Sequence, residues 1–405
     1  MVHFWDNWLF ELKRKKIRDQ QGLWVNSFFR QMSFALMHVF SVVFVFSLGR
    51  EKFLMGGIQG GLLLLLVYLI LIRLTVMLAV IPLSNNVIRR IGYRRSILSS
   101  LFFTSLSFLV LSLVSITKSL WLLSVAPIAL GIGVCLYWVT YFTLFSDEAK
   151  KASIGRSFGI MDVFAKLGQV TAPLMGAIIV LLLGYDILFL VGVVLLLISG
   201  IPMFFLKHHL HLDAVSWKEF GKWEKERRFK LAGLSMGGRL LEEIMIENLW
   251  PIYVFLIVGS LEKLGVFRSI LLLATAVFTY LVSRLFDRSH NKKYQIISVI
   301  GGSLLWVVRL GVTTLPQILV IDSVDKFFSA TTRTFFFGSL FLRAKGSQSF
   351  SFIVYWIVWE SFWAIAGLGI LALLLLISGV EIFWMGMVLV GILGLVLSLF
   401  LKDHK

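Results

Sequence analysis

The sequence predicts an all-α polytopic membrane protein of about 12 transmembrane helices, arranged as two pseudo-symmetric six-helix halves. Three observations predict it. The 405 residues are 58% hydrophobic and only 15% charged, with a mean hydropathy of +0.89, whereas soluble domains run near a quarter charged. A basic turn between two long apolar runs, Asn85–Arg95 (NNVIRRIGYRR), returns in related form as Ser283–Lys293 (SRLFDRSHNKK). Setting Arg89 and Arg90 on Asp287 and Arg288 lays the second half on the first, helix for helix, as an internal repeat does. Finally, the basic residues gather in alternate short loops, which is a topology signal.

The elements follow in order. Residues 1–22 are expected to form a cytoplasmic basic or interfacial segment: Trp5 and Trp8 stand among acids and lead into Lys13–Lys16, a cluster that favours an anionic leaflet. No cleavable signal is expected there, since no apolar core with a small-residue cleavage site follows. The N-terminal half, 23–206, holds helices near 25–48, 56–83, 96–116, 120–145, 157–183 and 186–206. An amphipathic cytoplasmic linker, 207–230, carries Trp217, Phe220 and Trp223 at helical spacing and should lie along the membrane surface. The C-terminal half, 231–405, holds helices near 231–258, 262–286, 294–313, 317–342, 347–378 and 380–401.

Charge sets the orientation and narrows the function. The turns at Arg89–Arg95, Lys150–Arg156, Arg284–Lys293 and Arg343–Lys345, the linker, and both termini are basic. The opposite loops carry only Arg50, Lys52, Lys118 and Lys263. Both termini are therefore expected to be cytoplasmic, in a cell membrane of the bacterial inner or plasma type. The net charge of +17 belongs to this topology, so nucleic acid is not expected as a partner. Cys135 is the only cysteine and reads as a packing residue. His208, His209 and His211 lie in a solvated linker with no cysteine or clearly placed carboxylate to complete a metal site, so neither metal nor cofactor is expected. No phosphate-cradling Gly-x-x-x-x-Gly-Lys-Ser/Thr loop occurs, and seven scattered histidines do not make a membrane-face enzyme constellation.

The two basic turns resemble the second-to-third and eighth-to-ninth helix loops of the major facilitator superfamily, whose pattern is Gly-x-x-x-Asp-Arg-x-Gly-Arg-Arg. The first copy keeps Arg90, Gly92 and Arg94; the second keeps Asp287 and Arg288. In the fifth helix, Gly168, Pro173 and Gly176 are similar to the family's Gly-x-x-x-Gly-Pro-x-x-Gly-Gly motif, with alanine at two of the glycines. Small residues there allow close helix approach, and the proline removes a backbone hydrogen bond and bends the chain. There are departures. Arg89 stands where the family usually has the acid, and residues 120–145 lack the arginine of proton-driven exporters. The resemblance implies a secondary active transporter working by alternating access, proton-coupled, with efflux antiport as one direction of transport. A non-transporting binding or assembly protein, or an uncoupled facilitator, is the alternative. It also implies that the first, fourth, seventh and tenth helices line the cavity.

A charge at bilayer depth costs about 2.5–3.5 kcal/mol on insertion scales, so each one needs a reason. In the seventh helix, Arg239, Glu243 and Glu247 share a face. An Arg239–Glu243 pair would leave Glu247 without a local partner. In the tenth helix, an Asp322–Lys326 pair would leave Asp325 and Arg333 facing substrate. Glu360 stands among Trp356, Trp359 and Trp363, an apolar setting that suits a carboxyl to reversible protonation. Arg30 and His38 share a face of the first helix. Asp162 and Lys166 read as a structural i, i+4 pair extended by Gln169, and Arg73 has no evident role. Tyr137, Tyr141 and Trp250 are the aromatic candidates for the cavity wall. The expected partners are a small-molecule substrate, protons and the lipid bilayer, with the chain acting as a monomer.

Overall fold

The computed structural model describes residues 17–148, 154–205, 213–288, 292–344 and 349–400. Among the described residues every regular element is helical. Seven of these helical stretches are long and apolar enough to cross a membrane. Three of them, 57–117, 162–204 and 349–400, each hold two crossings, because the chain breaks at Gly92, Gly184 and Gly379, all with φ between 76° and 89°. That left-handed conformation is open to glycine at little cost. The last break is a hairpin: a Cβ at Gly386 would meet Leu374 and Leu371, the residues mirrored across Gly379. The two remaining crossings, 227–258 and 315–344, fail the apolar test because they carry the charges. Together these rods make twelve crossings, in order the first to the twelfth helix below.

The first helix is Ile17–Lys52 and the second Gly57–Leu83. The second does not end at the basic turn. Pro82 removes one backbone donor, the next turn widens over Ser84–Ile88, and helix continues to the break at Gly92. Arg89 donates to Asn85 Oδ1 one turn back at 2.7 Å, so the expected loop is mostly helix. The third helix completes Arg89–Thr117 and the fourth is Leu120–Glu148. The fifth begins as Ile154–Val170 and resumes at Ala172, where Pro173 sits in the first turn.

Gly168 and Gly176 allow the first and fifth helices to touch. A Cβ at 168 would stand 2.4 Å from the Phe28 carbonyl oxygen, and one at 176 would stand 2.8 Å from that of Leu36. Arg94 lies 5.3 Å from the Phe204 ring. The side chains of Asp287 and Arg288 lie outside the described residues, as do residues 1–16 and the linker histidines.

Part of the linker packs on the second half. Ser216 caps Trp217–Lys225 by accepting from the Glu219 amide at 3.2 Å. Phe220 packs 5.6 Å and Trp223 5.5 Å from the Tyr355 ring, and the Tyr355 hydroxyl donates to Glu219 at 3.1 Å. Phe220 and Trp223 are thus docked on the eleventh helix, while Trp217 stays 48% exposed.

Outside, Phe102, Leu182, Ile377 and Leu389 are each more than 60% exposed. A continuous apolar skin of this kind marks a membrane-facing surface. Inside, Thr104, Thr140, Thr143 and Thr275 satisfy their hydroxyls on the carbonyls of the preceding turn, as polar groups in a water-free layer must.

Candidate functional site

Between the halves lies a cavity of about 360 Å³. Its wall takes Arg30 and His38 from the first helix, Arg73 from the second, Trp138 and Phe142 from the fourth, and Asp162 and Lys166 from the fifth. The second half adds Glu243 and Glu247, Arg268, Arg333, and Glu360. The halves touch on both sides of this space. Toward the face with the fewer basic residues, Gln59 donates to the Leu375 carbonyl at 2.9 Å, and Gly265 packs on the Pro173 backbone. Toward the basic-loop face, Phe142 stacks 5.2 Å from Trp356 and Phe145 packs 4.7 Å from Phe341. Arg333 also reaches Asp162 across the gap at 3.4 Å.

The ion pairs are not those that i, i+4 spacing suggested. Arg239 binds Glu242, not Glu243. Glu243 instead faces Arg333 at 3.1 Å. Glu247 is not alone: Arg268 of the eighth helix holds it. Asp162 is taken by Arg333 rather than by Lys166. For Glu243, Glu247 and Asp162 a long arginine on a neighbouring helix out-competes the acid's own turn.

Asp322 and Asp325 do not line the cavity. Both hold Arg309, at 2.8 and 3.1 Å, and that guanidinium lies 4.6 Å from the Trp306 ring and 5.0 Å from that of Trp250. Trp250 leaves the expected wall for the same cluster and donates to Asp322 at 2.7 Å. These contacts tie the seventh, ninth and tenth helices together inside the second half. Arg309, unplaced by its sequence position, is the centre of that knot.

Tyr137 and Tyr141 also sit behind the wall. Tyr137 lies 3.6 Å beneath the Arg30 guanidinium and stacks on Tyr141 at 5.1 Å. Its hydroxyl donates to Asn26 Oδ1 at 3.1 Å, and Asn26 in turn donates to the Ser199 carbonyl. Arg30 is therefore held inside the bundle. It is 1% exposed, held flat on an aromatic platform, and its Nη1 has no hydrogen-bond acceptor.

Three basic side chains of the wall, Arg30, Arg73 and Lys166, form no ion pair among the described residues. Glu360 is the wall acid in the same position; it accepts from Trp356 Nε1 at 2.6 Å and lies in the fields of Arg73 and Glu243. Gln169 donates to Gln31 at 2.8 Å beside them. Arg268 escaped the sequence reading because it stands near the start of its apolar run. Among the described residues no group of His, Cys, Asp and Glu is placed to hold a metal ion.

Comparison with known proteins places the fold. A family model described as Major Facilitator Superfamily matches residues 22–341. The structure is similar to that of the human organic anion transporter MFSD10 (TETRAN), with a TM-score of 0.66 at 13% identity, covering 95% of this chain and 100% of that one. It is also similar to the E. coli fucose:proton symporter FucP, with a TM-score of 0.63 at 14% identity, covering 96% and 100%. No curated protein matches the sequence.

Proposed function

Because the chain belongs to the major facilitator superfamily, we propose that it is a proton-coupled secondary active transporter that moves a small molecule by alternating access. The observation that carries this reading is the cavity itself. It lies between the halves, is touched by both, and is bounded on each side by contacts that cross from one half to the other. Transport follows if those two sets of contacts open in turn around one site.

Glu360 is the proposed proton carrier. Glu247 is pinned by Arg268, so a proton there would leave a buried guanidinium uncompensated, at a cost of several kcal/mol; Glu243 is ion-paired with Arg333, and a proton there would break that pair. Glu360 has a single neutral donor, Trp356, and can change charge without breaking an ion pair. A proton there removes the negative charge in the field of Arg73, which links protonation to the charge of the cavity.

The basic loops favour cytoplasmic termini, in a cell membrane of the bacterial inner or plasma type, and the chain acts as a monomer. Import, efflux by antiport and both exchange modes use the same machinery. The experiment is proton movement in proteoliposomes, read with an internal pH-sensitive dye while drugs, sugars, amino acids, peptides and organic acids are added in turn. Substrate-dependent proton flux supports the reading. Substrate flux without proton flux would make the protein a facilitator, and binding without either would make it a non-transporting member.

A further inference from the structure

We infer that the cavity takes small organic monoanions with an apolar body, the anionic group seated among Arg30, Arg73 and Lys166. This rests on the transporter reading and names the substrate class of that same site.

The argument is one of charge, satisfaction and shape. Five basic side chains on the wall, Arg30, Arg73, Lys166, Arg268 and Arg333, face four acids, Asp162, Glu243, Glu247 and Glu360. With every group ionised the wall keeps one positive charge, which a single negative charge on a ligand balances. The acids are not free to take a cation: three of the four are already held by Arg268 and Arg333. The basic groups without an ion pair all come from the first half, on the first, second and fifth helices. Burying an unpaired cation in a low-dielectric layer is costly unless an anion arrives to pair with it.

Arg30 supplies the independent sign. It is almost wholly buried, its plane is fixed by Tyr137 and Phe34 at 3.6 and 4.5 Å, and Nη1 is buried without an acceptor. A rigid guanidinium edge with an unfilled donor is what recognises a planar carboxylate. The amides of Gln31 and Gln169 stand beside it as further polar contacts.

The remainder of the wall suits an apolar body. Phe34, Trp138, Phe142, Phe337 and Trp356 face the same space. A volume of about 360 Å³ lies at the small end of ligand pockets. A compact aromatic or short-chain acid fits it, whereas a large amphipathic drug does not.

The test is binding to the purified full chain in detergent, by calorimetry and thermal shift. The probes are phenylacetate and hexanoate, their neutral amides, and phenethylamine. The acids should bind and raise the melting temperature, while the amides and the amine should not. Lys166→Gln and Arg73→Gln should each weaken acid binding by about tenfold or more, the scale of one charge-assisted hydrogen bond, and Lys166→Arg should restore most of it. An amide binding as tightly as its acid, an amine binding in place of the acids, or no acid bound at millimolar concentration would overturn the proposal. If a glutamine variant fails to melt cooperatively, the acid–amide comparison on the unaltered chain decides alone. Binding in detergent uses no gradient, so the two readings fail separately. Acid binding without proton flux in vesicles would sink the coupling and leave the substrate class. Proton flux driven by an amine or amide alone would do the reverse.

Discussion

Replacing Asp162 by Asn should loosen the basic-loop face of the cavity. The carboxylate is 4% exposed and lies 3.4 Å from Arg333 of the other half. At an effective dielectric of about 20 the gross attraction over that distance is about 5 kcal/mol. Desolvation of both groups offsets much of it, leaving a net contribution of about 1.5–3 kcal/mol, within the usual range of coupling between states. Arg333 would keep Glu243 at 3.1 Å, so the variant strands no charge and should still fold. The lost contact exists only while the halves are together on this side. Its removal should therefore shift the balance toward the state open on the basic-loop face by about 10- to 150-fold. Ala165 lines the cavity, and the only native thiol, Cys135, is buried. An Ala165→Cys variant in inside-out vesicles thus reports on access with little background. Labelling by an impermeant maleimide should rise at least about tenfold when Asp162→Asn is added. An unchanged or slower rate would refute the gating role of the pair.

Glu360→Gln should abolish substrate-linked proton movement, whereas Glu247→Gln should retain it, because Arg268 already fixes Glu247; a dye assay on both variants separates them. Asp322→Ala should cost about 1.5–3 kcal/mol, because Arg309 and Trp250 lose a charged hydrogen-bond acceptor while Asp325 keeps the guanidinium paired, read as a lower melting temperature in detergent. Gly168→Val should be worse tolerated than Ala165→Cys. Its Cβ would meet the Phe28 carbonyl at 2.4 Å, and that backbone cannot yield without parting the first and fifth helices; loss of cooperative melting is the readout.

The helix count and many helix limits were legible because the bilayer imposes a length on every apolar run. The junctions placed between 183 and 186 and between 378 and 380 fall on Gly184 and Gly379, where backbone conformation ends the helix. The polar seventh and tenth helices were legible for the same reason: charge is rare enough in a span to be conspicuous. Ion-pair partners were not. Periodicity fixes which residues share a face but not how that face is turned toward its neighbours. Arg333, Arg268 and Arg309 each reach an acid on another helix, and no spacing rule within one helix could find them. Tyr137 and Trp250 were drawn to the cavity by their polar handles, yet each spends that handle on Asn26 or Asp322 behind the wall.

The ion pairs fall into two kinds, and the difference bears on how such a molecule could cycle. Arg309 with Asp322 and Asp325, Arg239 with Glu242, and Arg268 with Glu247 all join residues of the second half. They need not change if that half moves as a unit, so they can be buried and strong without slowing the cycle. Arg333 is different, since it holds Glu243 within its own half and Asp162 across the gap. Retaining the first partner removes most of the penalty for losing the second, because the guanidinium is never left bare. A gate that opens on every cycle must cost little energy to break yet discriminate between states. One arginine shared between a permanent and a temporary acid meets both requirements.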